Sequence, residues 1–385
     1  MRRMVRLVLL VVVLVGVAGA AAALWKRDEV ARLVAVNTLF APDRMADNFA
    51  SMDRMFHHRT MDGGHASPLP PAPVGVPEAV AGPWRAWLDE RNVTGWVILK
   101  DGALVAEGYP HGAAGDRRIS WSMAKSFLAL LLGILEDEGV IDLDAAASDL
   151  VPALRGGAYD GVRLRDVARM MSGVEFDEDY FAFRSDINRM GRVLALGGSM
   201  DRFAAGLQSR RGEAGADWQY VSIDTHVLGM AIRAATGRSV PDLMEARILR
   251  PVGLEAAPQY LTDGHGVAFV LGGLTMTTRD YARLGWLVAQ GGRWQGRQIV
   301  PEAWIARATA PQVPDGHYGY QWWVPPDAAD GEVYARGIYG QFVWIDPARG
   351  VVIAVNAADP AFRVPGTEAA AVAMFRRVSA ALRPD

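Results

Sequence analysis

Cysteine is missing from this 385-residue chain and lysine is nearly so, with Lys26, Lys100 and Lys125 the only three. Without cysteine there is no disulfide, no thiolate nucleophile, no cysteine–zinc site and no lipidated cysteine anchor. A formal net charge of −3, with no Lys/Arg-rich run beyond the N-terminus, gives no footprint for nucleic acid. The sequence has no Gly-x-Ser-x-Gly elbow, no His-Glu-x-x-His helix and no phosphate-binding P-loop. His57, His58 and His65 cluster ahead of a proline-rich stretch without a recognisable ligand spacing, so neither metal nor cofactor is expected. No internal repeat is found. What is present, 51% hydrophobic and 22% charged residues, suits a globular protein of one large domain or two closely packed lobes.

The N-terminus speaks to location. Arg2, Arg3 and Arg6 precede an uncharged apolar run over residues 7–25, and Lys26 and Arg27 follow at once. As a helix that run rises about 28 Å, close to the thickness of a bilayer core. Residues 1–25 therefore read as an uncleaved membrane anchor or, cut after Ala18-Gly19-Ala20 or Ala21-Ala22-Ala23, as a signal segment. Either way the basic end stays inside and the body faces out. The expectation is a single-pass inner-membrane protein with a periplasmic body, or a periplasmic protein if the segment is removed.

Residues 26–77 read as an extracytoplasmic linker, mixed and partly helical, ending in the proline-rich spacer 67–77. A helix is predicted over 78–91, then strands over 95–100 and 103–108 joined by Asp101-Gly102, a strong hairpin signal. A second strand pair is predicted over 333–345 and 351–356, and a last helix over 367–382. Some 200 mainly helical residues, about 120–310, lie between the strand pairs. Strands at both ends of residues 78–385 imply an α/β (α+β) fold: an antiparallel sheet built from both chain ends, flanked by helices, with an inserted helical lobe.

Because lysine is so rare, Ser122-Met123-Ala124-Lys125 stands out. Thirteen serines and three lysines give Ser-x-x-Lys by chance roughly 0.1 times. The run opens the apolar stretch 127–135, which reads as a buried helix. Positions i and i+3 share a helix face, so Ser122 and Lys125 meet one turn apart. An amine desolvated there loses enough pKa to take a serine proton. The plainer reading is a helix-capping serine with a lysine that reaches out to solvent.

Several stretches together resemble the serine β-lactamase-like hydrolases, the superfamily of penicillin-binding proteins, class C β-lactamases and related esterases and amidases. Ser122-Met123-Ala124-Lys125-Ser126-Phe127 is similar to its first motif and Tyr220-Val221-Ser222 to its second. Residues 165–174, 272–280, 318–323 and 340–347 also fit, in order, across about 77–382. The nearest subgroup resembles the aminohexanoate-dimer (nylon-oligomer) hydrolases, through Asp177-Glu178-Asp179-Tyr180 with Ser185-Asp186, and through Gly337-Ile338-Tyr339-Gly340-Gln341. The resemblance implies a β-lactamase/transpeptidase-like fold and an acyl-enzyme on Ser122. Lys125 would act as neutral proton acceptor or as a charged partner whose cation lets Tyr220 act as a phenolate; sequence leaves open which of the two holds the proton. Backbone amides of Ser122 and Ile338 would form the oxyanion hole. Tyr180, Asp186, Ser222, Gly337 and Tyr339 would contact substrate, Asp186 meeting a cationic amine and Gly337 leaving room for the substrate.

One departure bears on substrate. The superfamily's third motif, Lys-Thr-Gly or His-Thr-Gly, is replaced by Ala335-Arg336-Gly337. Its lysine helps hold the carboxylate of a penicillin or a terminal D-alanine, so its loss argues against an efficient β-lactamase or carboxypeptidase unless Arg336 replaces the charge; a small-molecule ester, linear amide or short peptide is the expected substrate. A D-alanyl-D-alanine carboxypeptidase or β-lactamase is the second reading. A non-catalytic cell-envelope binding protein is the third.

Overall fold

Asp101 and Gly102 both sit in the left-handed region, with φ of 50° and 79°, and turn strand Val93–Lys100 back onto Ala103–Gly108. These positions come from a computed structural model, which describes residues 2–329 and 331–382. The hairpin forms one side of a five-stranded antiparallel sheet. The other strands, Val333–Gly337, Gln341–Asp346 and Val351–Ala357, come from the C-terminal end of the chain. Val351–Ala357 pairs with Val93–Lys100, so the two chain ends are joined within the sheet.

The stretch 333–345, expected as one strand, is two. Tyr339 (φ 60°) and Gly340 (φ 84°) reverse the chain between them. Propensity hides this turn because Ile338 and Tyr339 are good strand residues. Tertiary bonding imposes it: Gln341 Nε2 donates to the carbonyls of Tyr339 at 3.1 Å and Ala357 at 2.6 Å.

Strand periodicity assigns each face of the sheet a layer. Trp96, Ile98, Phe342, Trp344, Ile353 and Val355 pack with the helices Glu78–Glu90 and Thr367–Ala381. Val97, Leu99, Val343, Ile345, Val352 and Ala354 face the larger core under helix Thr278–Ala289. Gly285 lets that helix approach, since a Cβ there would lie 2.6 Å from Val343 and 2.7 Å from Val352.

The segment expected as a linker is largely folded onto the body. Leu39, Met45, Phe49, Met52, Phe56 and Met61 are buried in the main core. Strand His58–Thr60 begins a four-stranded sheet with Gln259–Leu261, Leu274–Met276 and Arg118–Ile119. The buried Arg283 guanidinium donates to the Ser67 carbonyl at 2.8 Å and pairs with Asp280 and Glu255. Apolar residues spaced among polar ones in 39–61 fill gaps in a neighbouring core, a signal that local periodicity does not register. The spacer does run extended: Pro70 and Ala72 bond to Leu104 and add a parallel edge to the main sheet.

The N-terminal run forms helix Arg2–Trp25, whose Arg3–Ala21 portion has a mean hydropathy of 2.6 and no buried residue. It is long and apolar enough to cross a membrane.

Candidate active site

Helix Met123–Asp137 is apolar on every side, and each residue from Met123 to Leu135 is buried. Such a helix becomes the centre of a lobe rather than its surface. It packs beneath strands Val333–Gly337 and Gln341–Asp346, and against helices Ser222–Thr236 and Glu302–Thr309. Ser122 caps its start and Lys125 follows one turn later. Lys125 Nζ donates to Ser122 Oγ at 2.8 Å and to the Leu271 carbonyl at 2.7 Å. Neither partner is anionic, and Lys125 is only 1% exposed. Burial pushes its pKa down to about 7, while the nearby Glu178 carboxylate acts in the opposite direction.

Tyr220 sits just ahead of helix Ser222–Thr236, its ring stacked on Trp323 at 5.6 Å and 5.3 Å from Lys125 Nζ. Burial drives its pKa up, Glu178 adds to the rise, and the Ser122 hydroxyl and Arg336 only partly offset it. Near neutral pH the lysine therefore sheds its proton more readily than the tyrosine does, a choice the sequence left open.

The backbone around Ser122 is strained on two sides. Trp121, before Ser122, has φ 42°, and Tyr339, after Ile338, has φ 60°. Among the described residues no backbone carbonyl takes the amide hydrogen of Ser122 or of Ile338. Both amides therefore remain open to a ligand oxygen. Gly337 brings the strand end to the segment leading into Ser122: a Cβ there would lie 2.4 Å from the Ser120 carbonyl oxygen and 3.0 Å from Trp121 Cβ. Its missing side chain makes room for the backbone leading into Ser122, not for substrate as expected.

Ser122 opens into a cavity of about 320 Å³. Of the residues expected at substrate, Tyr180, Ser222 and Tyr339 line it, as does Ile338 of the expected oxyanion hole; Asp186 and Gly337 do not. Asp186 starts helix Asp186–Ala195, where its carboxylate accepts from the Asp177 amide at 3.0 Å and pairs with Arg189 at 2.8 Å. The remaining wall is mostly apolar, including Phe40, Trp121, Met190, Phe269 and Leu271, and among the described residues Arg192 is the sole basic one in it. Arg336 is not in that wall. It pairs with Glu368 and lies over the Trp323 ring.

Three features were missed in the sequence. Glu178 accepts from the Ser222 amide, while its Oε2 is shielded and accepts no hydrogen bond among the described residues. The Leu271 carbonyl anchors Lys125. Phe40, from the supposed linker, stacks on Tyr339 at 5.0 Å. Only Glu178 left a trace, as an acid in a loop already under suspicion; a carbonyl or an apolar wall residue leaves none.

Comparison with known proteins accords with this geometry. A family profile, Beta-lactamase, matches residues 90–374. The 6-aminohexanoate-dimer hydrolase of Paenarthrobacter ureafaciens is 29% identical over 285 residues, spanning 69% of this chain and 72% of that protein. A Bacillus anthracis structure carrying the name 6-aminohexanoate-dimer hydrolase superposes with a TM-score of 0.79 at 22% identity, covering 90% of this chain and 97% of that one. A D-stereospecific amidohydrolase from Streptomyces gives a TM-score of 0.56 at 20% identity, covering 71% and 94%.

Proposed function

Since the chain belongs to the beta-lactamase family and is a hydrolase, we propose that it cleaves an ester or linear amide bond through an acyl-enzyme on Ser122. The observation that carries this reading is the 2.8 Å contact from a buried Lys125 amine, with a pKa near 7, to a serine hydroxyl that opens into a mostly apolar cavity.

Neutral Lys125 Nζ takes the Ser122 proton as Oγ attacks the carbonyl carbon. The tetrahedral oxyanion is held by the Ser122 and Ile338 amides. As the C–O or C–N bond breaks, the proton passes from Lys125 to the departing oxygen or nitrogen, with the protonated Tyr220 hydroxyl as relay. Water then attacks the acyl carbon, its proton returns through the same groups, and the carboxylic acid leaves. Tyr180, Ser222 and Tyr339 border the bond being cut.

An uncharged acyl group fits this cavity better than a penicillin carboxylate does, because Arg336 is already paired with Glu368 and, among the described residues, Arg192 is the one basic group in the wall. The 6-aminohexanoate dimer named for the Paenarthrobacter relative is a linear amide and belongs to the same substrate class. Asp186, engaged with Arg189, is poorly placed to take its amine. The N-terminal helix acts as membrane anchor or signal segment and places residues 78–385 outside the cytoplasm, in the periplasm.

Hydrolysis of p-nitrophenyl acetate and butyrate tests the reading. A burst followed by steady turnover, lost in Ser122→Ala and Lys125→Ala, is expected. Turnover undiminished in Ser122→Ala would overturn the assignment.

A further inference from the structure

The apolar helix Arg2–Trp25 does not lead into a free linker. After Lys26 the chain enters helix Arg27–Thr38, which packs against Asp186–Ala195, and its end, with Val36, Asn37, Leu39 and Phe40, forms part of the cavity wall. Twelve residues of helix are about 18 Å, so the mouth of the Ser122 cavity stands within that distance of the apolar helix. The outer surface here is unusual for a soluble protein. Val30, Leu33 and Val34, one helical stripe, are 49%, 36% and 56% exposed. Across the mouth, Phe181 and Phe183 are 71% and 73% exposed and also line the cavity. Basic groups lie beside Phe183: Arg184, its neighbour in the chain, is exposed, and the Arg192 guanidinium lies 4.2 Å from the Phe183 ring centroid. Apolar side chains with arginines at their edge suit the boundary between acyl chains and headgroups.

We propose that this rim lies on the bilayer surface and that the cavity takes the acyl chain of a membrane-embedded ester or amide, entering from the lipid side to bring its carbonyl to Ser122. The proposal rests on the Ser122 reading and specifies its substrate: an amphiphile with a long acyl chain. A cavity of about 320 Å³ has room for roughly ten groups of the size of a water molecule, or a similar number of methylenes. Continuity with the apolar helix favours a bilayer over a second protein as what covers the face. The half-exposed valines and phenylalanines gain from leaving water in either case.

The absence of cysteine makes the test clean, because one introduced thiol is labelled uniquely. The full chain is placed in phosphatidylcholine vesicles containing phosphatidylglycerol, with an environment-sensitive dye on Phe183→Cys. A control dye goes on Val140→Cys, an exposed site beyond the far end of the fifteen-residue nucleophile helix. Nitroxide-bearing lipid should quench the dye at 183 and leave that at 140 nearly untouched. Equal quenching at both sites, or none at 183, overturns the proposal. Energy transfer between dyes at 183 on two chains, without quenching, would assign the face to a second copy and overturn it too. In a second arm, Val30→Ser, Leu33→Ser and Val34→Ser are combined. Turnover of a long-chain p-nitrophenyl ester embedded in the vesicles should fall at least about tenfold, equivalent to about 1.4 kcal/mol, with p-nitrophenyl butyrate turnover little changed. Both esters falling together would refute the lipid-side route. Failure of the Ser122 reading would show separately, as butyrate turnover persisting in Ser122→Ala.

Discussion

Replacing Lys125 with methionine should make the protein more stable while abolishing its activity. A lysine in an unfolded chain titrates near 10.4, whereas buried Lys125 titrates at about 7. At about 1.4 kcal/mol per pH unit, holding it neutral at pH 7 costs roughly 4–5 kcal/mol. Methionine fills similar space without that cost, but leaves the Leu271 carbonyl unpartnered at about 1–3 kcal/mol. A net gain of roughly 1–4 kcal/mol is expected at pH 7. The sign of its pH dependence follows from the protons bound. Between about 7 and 10.4 the unfolded chain holds a lysine proton that the folded chain has lost, so wild-type stability rises with pH. The advantage of Lys125→Met is full at pH 7 and below, shrinks by about 1.4 kcal/mol per unit above it, and has largely gone by about pH 9. Urea midpoints of the two full-length proteins in detergent, at pH 7 and pH 9, measure this. A methionine variant that is less stable at pH 7, or a gap that does not change with pH, would mean that Lys125 is charged in the folded protein, and the base mechanism would fail.

Four further outcomes follow from the same geometry. The kcat/KM for p-nitrophenyl butyrate should rise tenfold per pH unit up to a midpoint near pH 7, as Lys125 deprotonates. In Glu178→Gln that limb should move to lower pH, because the carboxylate is what holds the lysine pKa up; a limb that stays in place would separate Glu178 from Lys125. Tyr220→Phe should lower kcat by roughly 10²–10⁴-fold with little change in thermal midpoint, read from burst kinetics and a melting curve; an unchanged kcat would remove Tyr220 from the proton path. Gly337→Ala should destabilise by about 1–3 kcal/mol and impair turnover with the nucleophile untouched, since its Cβ would meet the Ser120 carbonyl oxygen at 2.4 Å; normal activity and stability would show that the strand end can shift freely.

Chemistry confined to neighbours in the chain was legible in the sequence. Ser122 and Lys125 are one helical turn apart, so helix geometry alone brings them together. Asp101-Gly102 fixes its hairpin by local sterics, and the hydropathy of residues 3–21 is a sum that needs no partner. Strand patterns at both ends of the chain were enough to anticipate one sheet with a helical insertion. What the sequence could not decide depends on groups brought together from afar. The reversal at Tyr339 is held by Gln341 and the Ala357 carbonyl against local strand propensity. The folded state of 39–61 depends on a core built by other segments. Asp186 reads as a free acid until the fold sets Arg189 and the Asp177 amide beside it. Which of Lys125 and Tyr220 gives up its proton is decided by burial and by Glu178, fifty-three residues from the lysine in sequence. Bonding patterns repeat along a chain and can be read from it; desolvation and Coulomb interactions depend on distances in space, and only the tertiary structure sets those.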